Sequence, residues 1–310
     1  MPDAPPKAAW TADVLADPHH VADKRARVQR MFAAIAPRYD LNNRLHSFWR
    51  DQAWRRAAVR LAGLRPDDIV VDVACGTGDL TLAFAEALLV PPPPGEVRRR
   101  RERLSSTESP NDTRLHEMPE VIAGAQATRR SPPPPNLPRG GRNQIARPQV
   151  IGIDFTHAML PLANRKSQIA NDTCAFVTGD AQQLPLPDAC CDVVSIAFGI
   201  RNVQDVPAAM SEFYRVLRPG GRLVVLEFSE PTNPLLRAMN RFYTGRVMPL
   251  TATLISSDTS GAYKYLPKSV ETFLSREQMA ATMAGAGFGT ITQHAMTFGV
   301  CVCYRGVKAP

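Results

Sequence analysis

The sequence predicts an α/β fold: an open, doubly wound sheet, mostly parallel, that closes with an antiparallel hairpin. Three observations predict it. Short apolar strands alternate with helical patterns over most of the chain. Three of those strands carry an acid at or near their C-terminal end, Asp72, Asp154 and Asp180. The first strand runs directly into the glycine turn "ACGTGDL", residues 74–80. Open sheets of this kind hold ligands beyond the C-terminal ends of their strands, where the turn and the acids converge.

The elements follow in order. "IVVDVA" (69–74) is a short apolar strand of the type a parallel sheet buries on both faces. A helix follows over 79–89. "QVIGID" (149–154) is the second strand and 156–170 its helix; "CAFVTGD" (174–180) is the third strand. "CDVVSIAFG" (191–199) is the fourth, with a helix from about 205 to 217 that closes at "RPGG". "RLVVLEF" (222–228) is the fifth. Helical patterns occupy 234–248 and 275–286, with Gly287 as a C-terminal cap. "GTITQHAM" and "GVCVCYRG" lie close enough to pair as a hairpin, which brings the strands to seven.

Between the first helix and the second strand stands a segment of another composition. Residues 91–148 contain twelve prolines, eleven arginines, no lysine and six acids, which accounts for +5 of the total charge of +8. Polyproline blocks such as "PPPPGEVRRRRER" neither continue a helix nor pair inside a sheet. With few large apolar side chains, the segment is expected to be a disordered insertion. The rest is expected to divide into an N-terminal helical lid (1–60) and a catalytic domain (61–310) that the insertion interrupts.

Bulk properties exclude several classes. No apolar run reaches the ~18 residues of a membrane span, and the longest candidate, "LTLAFAEALLV", is broken by Glu86. The N-terminal region has no apolar signal core and carries Asp3, Asp13, Asp17 and Asp23. A cytoplasmic protein is expected. The six cysteines, at 75, 174, 190, 191, 301 and 303, form no CxxC pair, so reduced thiols are expected, and neither a disulfide framework nor a metal site.

The glycine turn narrows the ligand. A dinucleotide fingerprint needs a third glycine, but Gly76 and Gly78 are followed by Asp79, Leu80 and Thr81. No Gly-Lys-Ser/Thr follows, so a P-loop is excluded. Asp79 at the helix start would repel a pyrophosphate. A nucleoside ligand without phosphates fits, and S-adenosylmethionine is one. Asp154 stands where an acid accepts both ribose hydroxyls, with an N-cap for the next helix as the alternative. Asp180 and Ala181 fall where an adenine would lie, with an ordinary turn aspartate as the alternative.

The glycine turn, "GDAQQLPLPDACCDVV", "FGIRNV", "RVLRPGGRLVVLEFS" and "YDLNNRLHSFWRDQAWRR" together resemble the ubiquinone/menaquinone-biosynthesis C-methyltransferases of the UbiE type. The resemblance covers about 20–90 and 149–307 and has no place for the insertion. It implies a class I S-adenosylmethionine-dependent methyltransferase, a Rossmann-like fold with a seven-stranded sheet. It further implies methylation of a ring carbon of a polyprenylated quinol, demethylmenaquinol in preference to a 2-methoxy-6-polyprenyl-1,4-benzoquinol. The cofactor contacts it implies are Thr77, Asp154, Asp180 and Ala181, with Asp72, Gly76 and Gly78 completing the wall of the loop. Ala197 stands where the family has a serine, leaving the backbone to make that contact. Asn42, His46 and Asp51 stand where the family usually has Met, an aliphatic residue and His.

Methylating an aromatic carbon requires an adjacent hydroxyl to lose its proton and push charge into the ring. "FGIRNV" places Arg201 and Asn202 just past strand four, where the acceptor should meet the methyl group. A guanidinium there would lower a phenol's pKa and stabilise its oxyanion; a surface arginine capping a helix end is the alternative. Asn202 would orient the hydroxyl or a relaying water. His46, Asp51, Tyr39, Tyr263 and Tyr265 are all candidate bases, and nothing in the sequence selects among them. The segment 256–266 is placed over the acceptor site. The stretch 239–255, apolar with scattered arginines, would line the path of a prenyl tail, touch a membrane surface, or simply pack on the sheet. A polyprenyl substrate implies transient membrane-surface contact at the inner face. An RNA or protein methyltransferase recruited by the basic insertion is the competing reading. It lacks the Asn/Asp-Pro-Pro-aromatic block that base-amine methylation favours after strand four, so a nucleic-acid partner is not expected.

Overall fold

The computed structural model describes residues 9–11, 14–89, 148–170, 174–251 and 261–310. Seven strands form one sheet among them: β1 (Val70–Val73), β2 (Val150–Asp154), β3 (Cys174–Thr178), β4 (Cys191–Ala197), β5 (Leu217–Phe228), β6 (Gly289–Met296) and β7 (Cys301–Val307). Their order is β3-β2-β1-β4-β5-β7-β6. β1 to β5 pair in parallel, and β7 runs antiparallel to both β5 and β6. The order reverses between β1 and β4, which opens a crevice at the C-terminal ends of those strands.

Alternation along the strands builds two cores. Val71, Val73, Ile151, Ile153, Val194 and Ile196 face helices α6 (Val206–Val216) and α9 (Arg276–Gly285), through Phe213, Met210, Met279 and Met283. Val70, Val150, Val193 and Val224 face α3 (Arg50–Ala62) and α4 (Asp79–Leu89), through Trp54, Ala58, Leu80 and Phe84. α5 (Leu160–Ala170) flanks β3. The N-terminal helices therefore have two tasks. α3 packs on the sheet, whereas α1 (Lys24–Ile35) and α2 (Tyr39–His46) lie over the crevice.

Four local expectations change or leave the described residues. β5 begins at Leu217, five residues before the predicted strand, pairing with Cys191 before the register shifts to Val193–Arg222. The 234–248 pattern divides into α7 (Pro234–Phe242) and a wider π-helical turn over Tyr243–Val247. Within 256–266, residues up to 260 lie outside the described residues, and α8 (Ala262–Glu271) forms a helix with Pro267 inside it. Nearly all of the insertion likewise lies outside the described residues. Gly287 has φ +100° just past α9, as the predicted cap requires.

Candidate active site

Two adjoining cavities occupy the crevice. The first is lined by Gly76 of the glycine turn, by Asp154 and Phe155 after β2, and by Asp180 and Ala181 after β3. Ala197 and Asn202 close it below, and Arg25, Val28 and Phe32 of α1 close it above. Asp154 is buried and anchors its surroundings: Gly76 N–H donates to Oδ2 (2.8 Å) and Thr156 N–H to Oδ1 (2.6 Å). Burial raises its pKa above the usual carboxylate value. Asp180 Oδ1 accepts from Gln182 N–H (3.0 Å), and its Oδ2 pairs with Arg25 of the lid (3.1 Å). Gly76 adopts φ +55°, and a Cβ there would meet no atom within 4 Å, so the backbone borders open space. Two acids, an open glycine backbone and apolar plates from Phe32, Phe155 and Ala181 suit a nucleoside with hydroxyls to donate.

Three expected contacts fall elsewhere. Asp72 does not line the cavity: it is buried beneath the turn and accepts from Thr81 Oγ1 and Ser195 Oγ, 2.7 Å each. Burial raises its pKa to about 6. Thr77 also stands outside the lining, because its hydroxyl donates to Asp40 of α2 (2.6 Å) and accepts from Lys166 of α5 (3.1 Å). Gly78 supplies packing instead, since at φ +84° a Cβ would press within 3.1 Å of Ala163 and Phe176. Asp79, read as a charge that repels phosphate, is countered. Burial pushes its pKa up, but Lys166 (2.5 Å), Arg55 and Gln52 together hold it below the usual carboxylate value.

The second cavity is larger, about 300 Å³, and mainly aromatic and aliphatic. All five candidate bases, Tyr39, His46, Asp51, Tyr263 and Tyr265, line it, together with Arg201. Phe32, Tyr39 and Phe198 border both cavities. Phe198 is held at φ +56°, a costly conformation for a bulky side chain.

Arg201 is buried, which rules out the surface-cap reading, but it is not a lone cation. Its Nη1 donates to Glu227 Oε1 of β5 (2.6 Å) and to the Phe198 carbonyl (2.7 Å). Its buried Nε has no partner among the described residues. Glu227 compensates the charge of the guanidinium. Asn202 Oδ1 accepts from Tyr265 Oη (2.9 Å), a hydrogen bond that ties the first cavity to the second. Sequence reasoning missed Glu227, although it is a fourth acid near a strand's C-terminal end. It also missed Lys24, whose buried Nζ donates to the carbonyl of Val203 (2.6 Å), the last residue of "FGIRNV".

The model of the ubiE/COQ5 methyltransferase family matches residues 20–97 and 124–308. The chain belongs to this family. A demethylmenaquinone methyltransferase of Thermus thermophilus is 38% identical over 276 residues, covering 89% of this chain and 99% of that protein. A ubiquinone/menaquinone biosynthesis C-methyltransferase UbiE of Syntrophotalea carbinolica is 35% identical over 279 residues, with 90% and 93% covered. Among solved structures, an S-adenosylmethionine-dependent methyltransferase of Thermotoga maritima, a possible histamine N-methyltransferase, aligns with TM-score 0.50 at 18% identity, covering 90% of this chain and 98% of that one. The [4+2]-cyclase SpnF aligns with TM-score 0.54 at 13% identity, covering 91% and 95%. These two show the fold alone, and the cyclase shows that one scaffold serves more than one chemistry.

The four positions that depart from the pattern expected by resemblance divide: Ala197 lines the first cavity, and the other three lie on the N-terminal helices. His46 and Asp51 line the second cavity, whereas Asn42 is buried on α2 with its amide donating to the Arg38 carbonyl. Asp51 is bound by Arg55 (2.6 Å) and Ser47 (2.9 Å). His46 is half-buried, and its Nε2 has no partner among the described residues.

Proposed function

We propose that this methyltransferase uses S-adenosylmethionine to methylate a ring carbon of a polyprenylated quinol, demethylmenaquinol in preference to a benzoquinol. One observation carries the reading: an acid-tipped cavity adjoins a larger aromatic one across Phe198, with a buried, compensated arginine in the second. When bound, S-adenosylmethionine supplies an electrophilic methyl group on a sulfonium. Asp154 would take its ribose hydroxyls on the lone pairs the backbone leaves free, with Asp180 and Ala181 beside the adenine and the Gly76 and Ala197 backbones along the amino-acid end. The prenyl tail would leave along the aliphatic lining of the second cavity, and a tail of that kind implies work at the inner face of a membrane.

The protein's own residues prepare the acceptor. The quinol hydroxyl must give up its proton so that the oxygen pushes charge onto the attacking ring carbon. The Arg201 guanidinium, fixed by the Glu227 pair, would stabilise the oxyanion that forms. Tyr39 and Tyr265 cannot take the proton at neutral pH, because burial raises both phenols and keeps them protonated. Asp51 is engaged by Arg55. His46 suits the role: burial lowers its pKa, so the imidazole is neutral and can accept. After the carbon–carbon bond forms, loss of the ring proton restores the aromatic system.

The test is methyl transfer from labelled S-adenosylmethionine to demethylmenaquinol and to the benzoquinol precursor, with Arg201→Ala and His46→Gln alongside. We expect labelled menaquinol and losses of roughly 10²-fold in kcat for each variant, the scale of one positioned catalytic group. His46 must be neutral to act, and burial lowers its pKa, so kcat/KM should hold through the usual histidine value of 6.5 and fall only at lower pH. His46→Gln should flatten that limb. No label in either quinol overturns the function; full turnover by Arg201→Ala overturns the oxyanion role.

A further inference from the structure

The second cavity opens beside a surface that water alone does not explain. On α7, Leu235, Met239 and Phe242 recur at i, i+4 and i+7, so they share one face, and they are 61–69% exposed. Leu250, beyond the π-helical turn, is likewise exposed. From the lid, Phe48 and Trp49 project at 68% and 60% exposure, both at positive φ, a conformation bulky residues rarely hold. Phe48 packs on Tyr243 of the π-helical turn, with ring centroids 5.8 Å apart. Phe298, 79% exposed, follows Thr297, whose hydroxyl accepts from Arg50 Nε (3.4 Å) beside Trp49. The Phe48–Tyr243 and Arg50–Thr297 contacts bring these three segments together.

Charge complements the apolar rim. Residues 232–251 contain Arg237, Arg241 and Arg246 and no acid, and Arg50 and Arg246 are exposed. An apolar helix face bordered by arginines is the pattern of a helix lying in a bilayer interface. Among the described residues no helix is long and apolar enough to cross a membrane.

We propose that this face docks on an anionic lipid bilayer, with Phe48, Trp49, Leu235, Met239, Phe242 and Phe298 among the acyl chains and Arg50 and Arg246 at the headgroups. His46 and Ser47 of the lid, and Tyr243, Thr244 and Met248, line the cavity from the same segments, so docking sets its mouth against lipid. The benefit to turnover rests on the prenylated-quinol reading; the binding itself does not.

The protein carries its own reporter. It has three tryptophans, of which Trp10 and Trp54 are buried and Trp49 is exposed. Mixing the full chain with phosphatidylcholine vesicles containing phosphatidylglycerol should shift the emission to the blue, and brominated acyl chains should quench it. Trp49→Phe should abolish the quench. The triple variant Leu235→Ser, Met239→Ser, Phe242→Ser should cosediment at least about tenfold less, since each side chain loses its burial in lipid. Its turnover on a tailless quinol should be unchanged, because none of the three lines either cavity. Arg50→Glu with Arg246→Glu should remove the preference for phosphatidylglycerol. The proposal is overturned if the wild type ignores anionic vesicles or if the triple variant binds them equally. It is also overturned if light scattering shows a dimer that the triple variant dissociates, for then a second copy covers the face. Vesicle binding without methylation of any quinol would instead sink the function and leave this surface standing.

Discussion

Asp72 shows how the partners of a residue visible in the sequence can stay hidden. An acid at the end of a parallel strand reads as a ligand contact, and Asp154 and Asp180 do line the first cavity. Asp72 differs because Ser195, 123 positions away, and Thr81 both turn their hydroxyls onto it. No local pattern announces that pairing. The consequence is measurable. With its pKa raised from 3.8 to about 6 by burial, the folded protein holds this proton more tightly than the unfolded chain does. Its favourable contribution is present below pH ~4 and is lost as pH rises through about 6. Asp72→Asn removes the dependence. Relative to wild type, the variant should gain on the order of 3 kcal/mol as pH rises from 4 to 7, at 1.36 kcal/mol per pKa unit. Urea denaturation at each pH measures the difference, and a constant gap would refute the assignment. Glu227 was hidden for the same reason as Ser195: its meaning depends on Arg201, which folding alone brings within 2.6 Å.

Elements were legible where their signals were local. Apolar runs, glycine turns and caps placed all seven strands and most helices, because parallel strands buried on both faces need little outside context. α8 was not legible, since Pro267 reads as a breaker. Tertiary packing overrides it: Tyr265 stacks on Trp10 at 4.1 Å, and α8 packs against α1. An N-terminal helical lid was expected, but the contacts that hold it were not legible, because they are long-range. Asp40 of α2 meets Thr77 at 2.6 Å and Lys166 at 2.6 Å, and Lys166 also grips Asp79. One ammonium therefore holds the lid, the glycine turn and the start of α4 together. Lys166→Met leaves Asp40 and Asp79 without their shared cation. We expect cofactor binding to weaken by roughly tenfold, the value of about one charge-assisted hydrogen bond, with a smaller change in kcat. Calorimetry measures the affinity, and hydrogen exchange over residues 24–46 should quicken. Unchanged exchange there would show that the latch lies elsewhere.

For the whole molecule, the question is whether the Pro/Arg-rich segment belongs to the enzyme's function or only interrupts its chain. The family match passes over residues 98–123 and resumes at 124. Topology indicates how little the fold asks of this connection. α4 follows β1 and runs back along the sheet, so its end at Leu89 returns to the edge where β2 starts beside β1, with Val70 paired to Val150. Ten residues span up to about 33 Å, about twice the ~16 Å of an eleven-residue helix like α4. Replacing residues 91–147 with ten glycines and serines should therefore keep the crossover intact. Shortening the loop should lower its closure entropy and stabilise the fold by about 1.5 kcal/mol. Methylation of demethylmenaquinol should stay within about twofold of wild type, although the segment carries +5 of the +8 net charge. An enzyme that used those arginines to recruit RNA or an acidic protein would lose its substrate instead. Thermal unfolding confirms that the shortened chain is folded, and labelled-methyl turnover decides the question. A folded variant with quinol activity reduced tenfold or more would place the segment in the functional machinery.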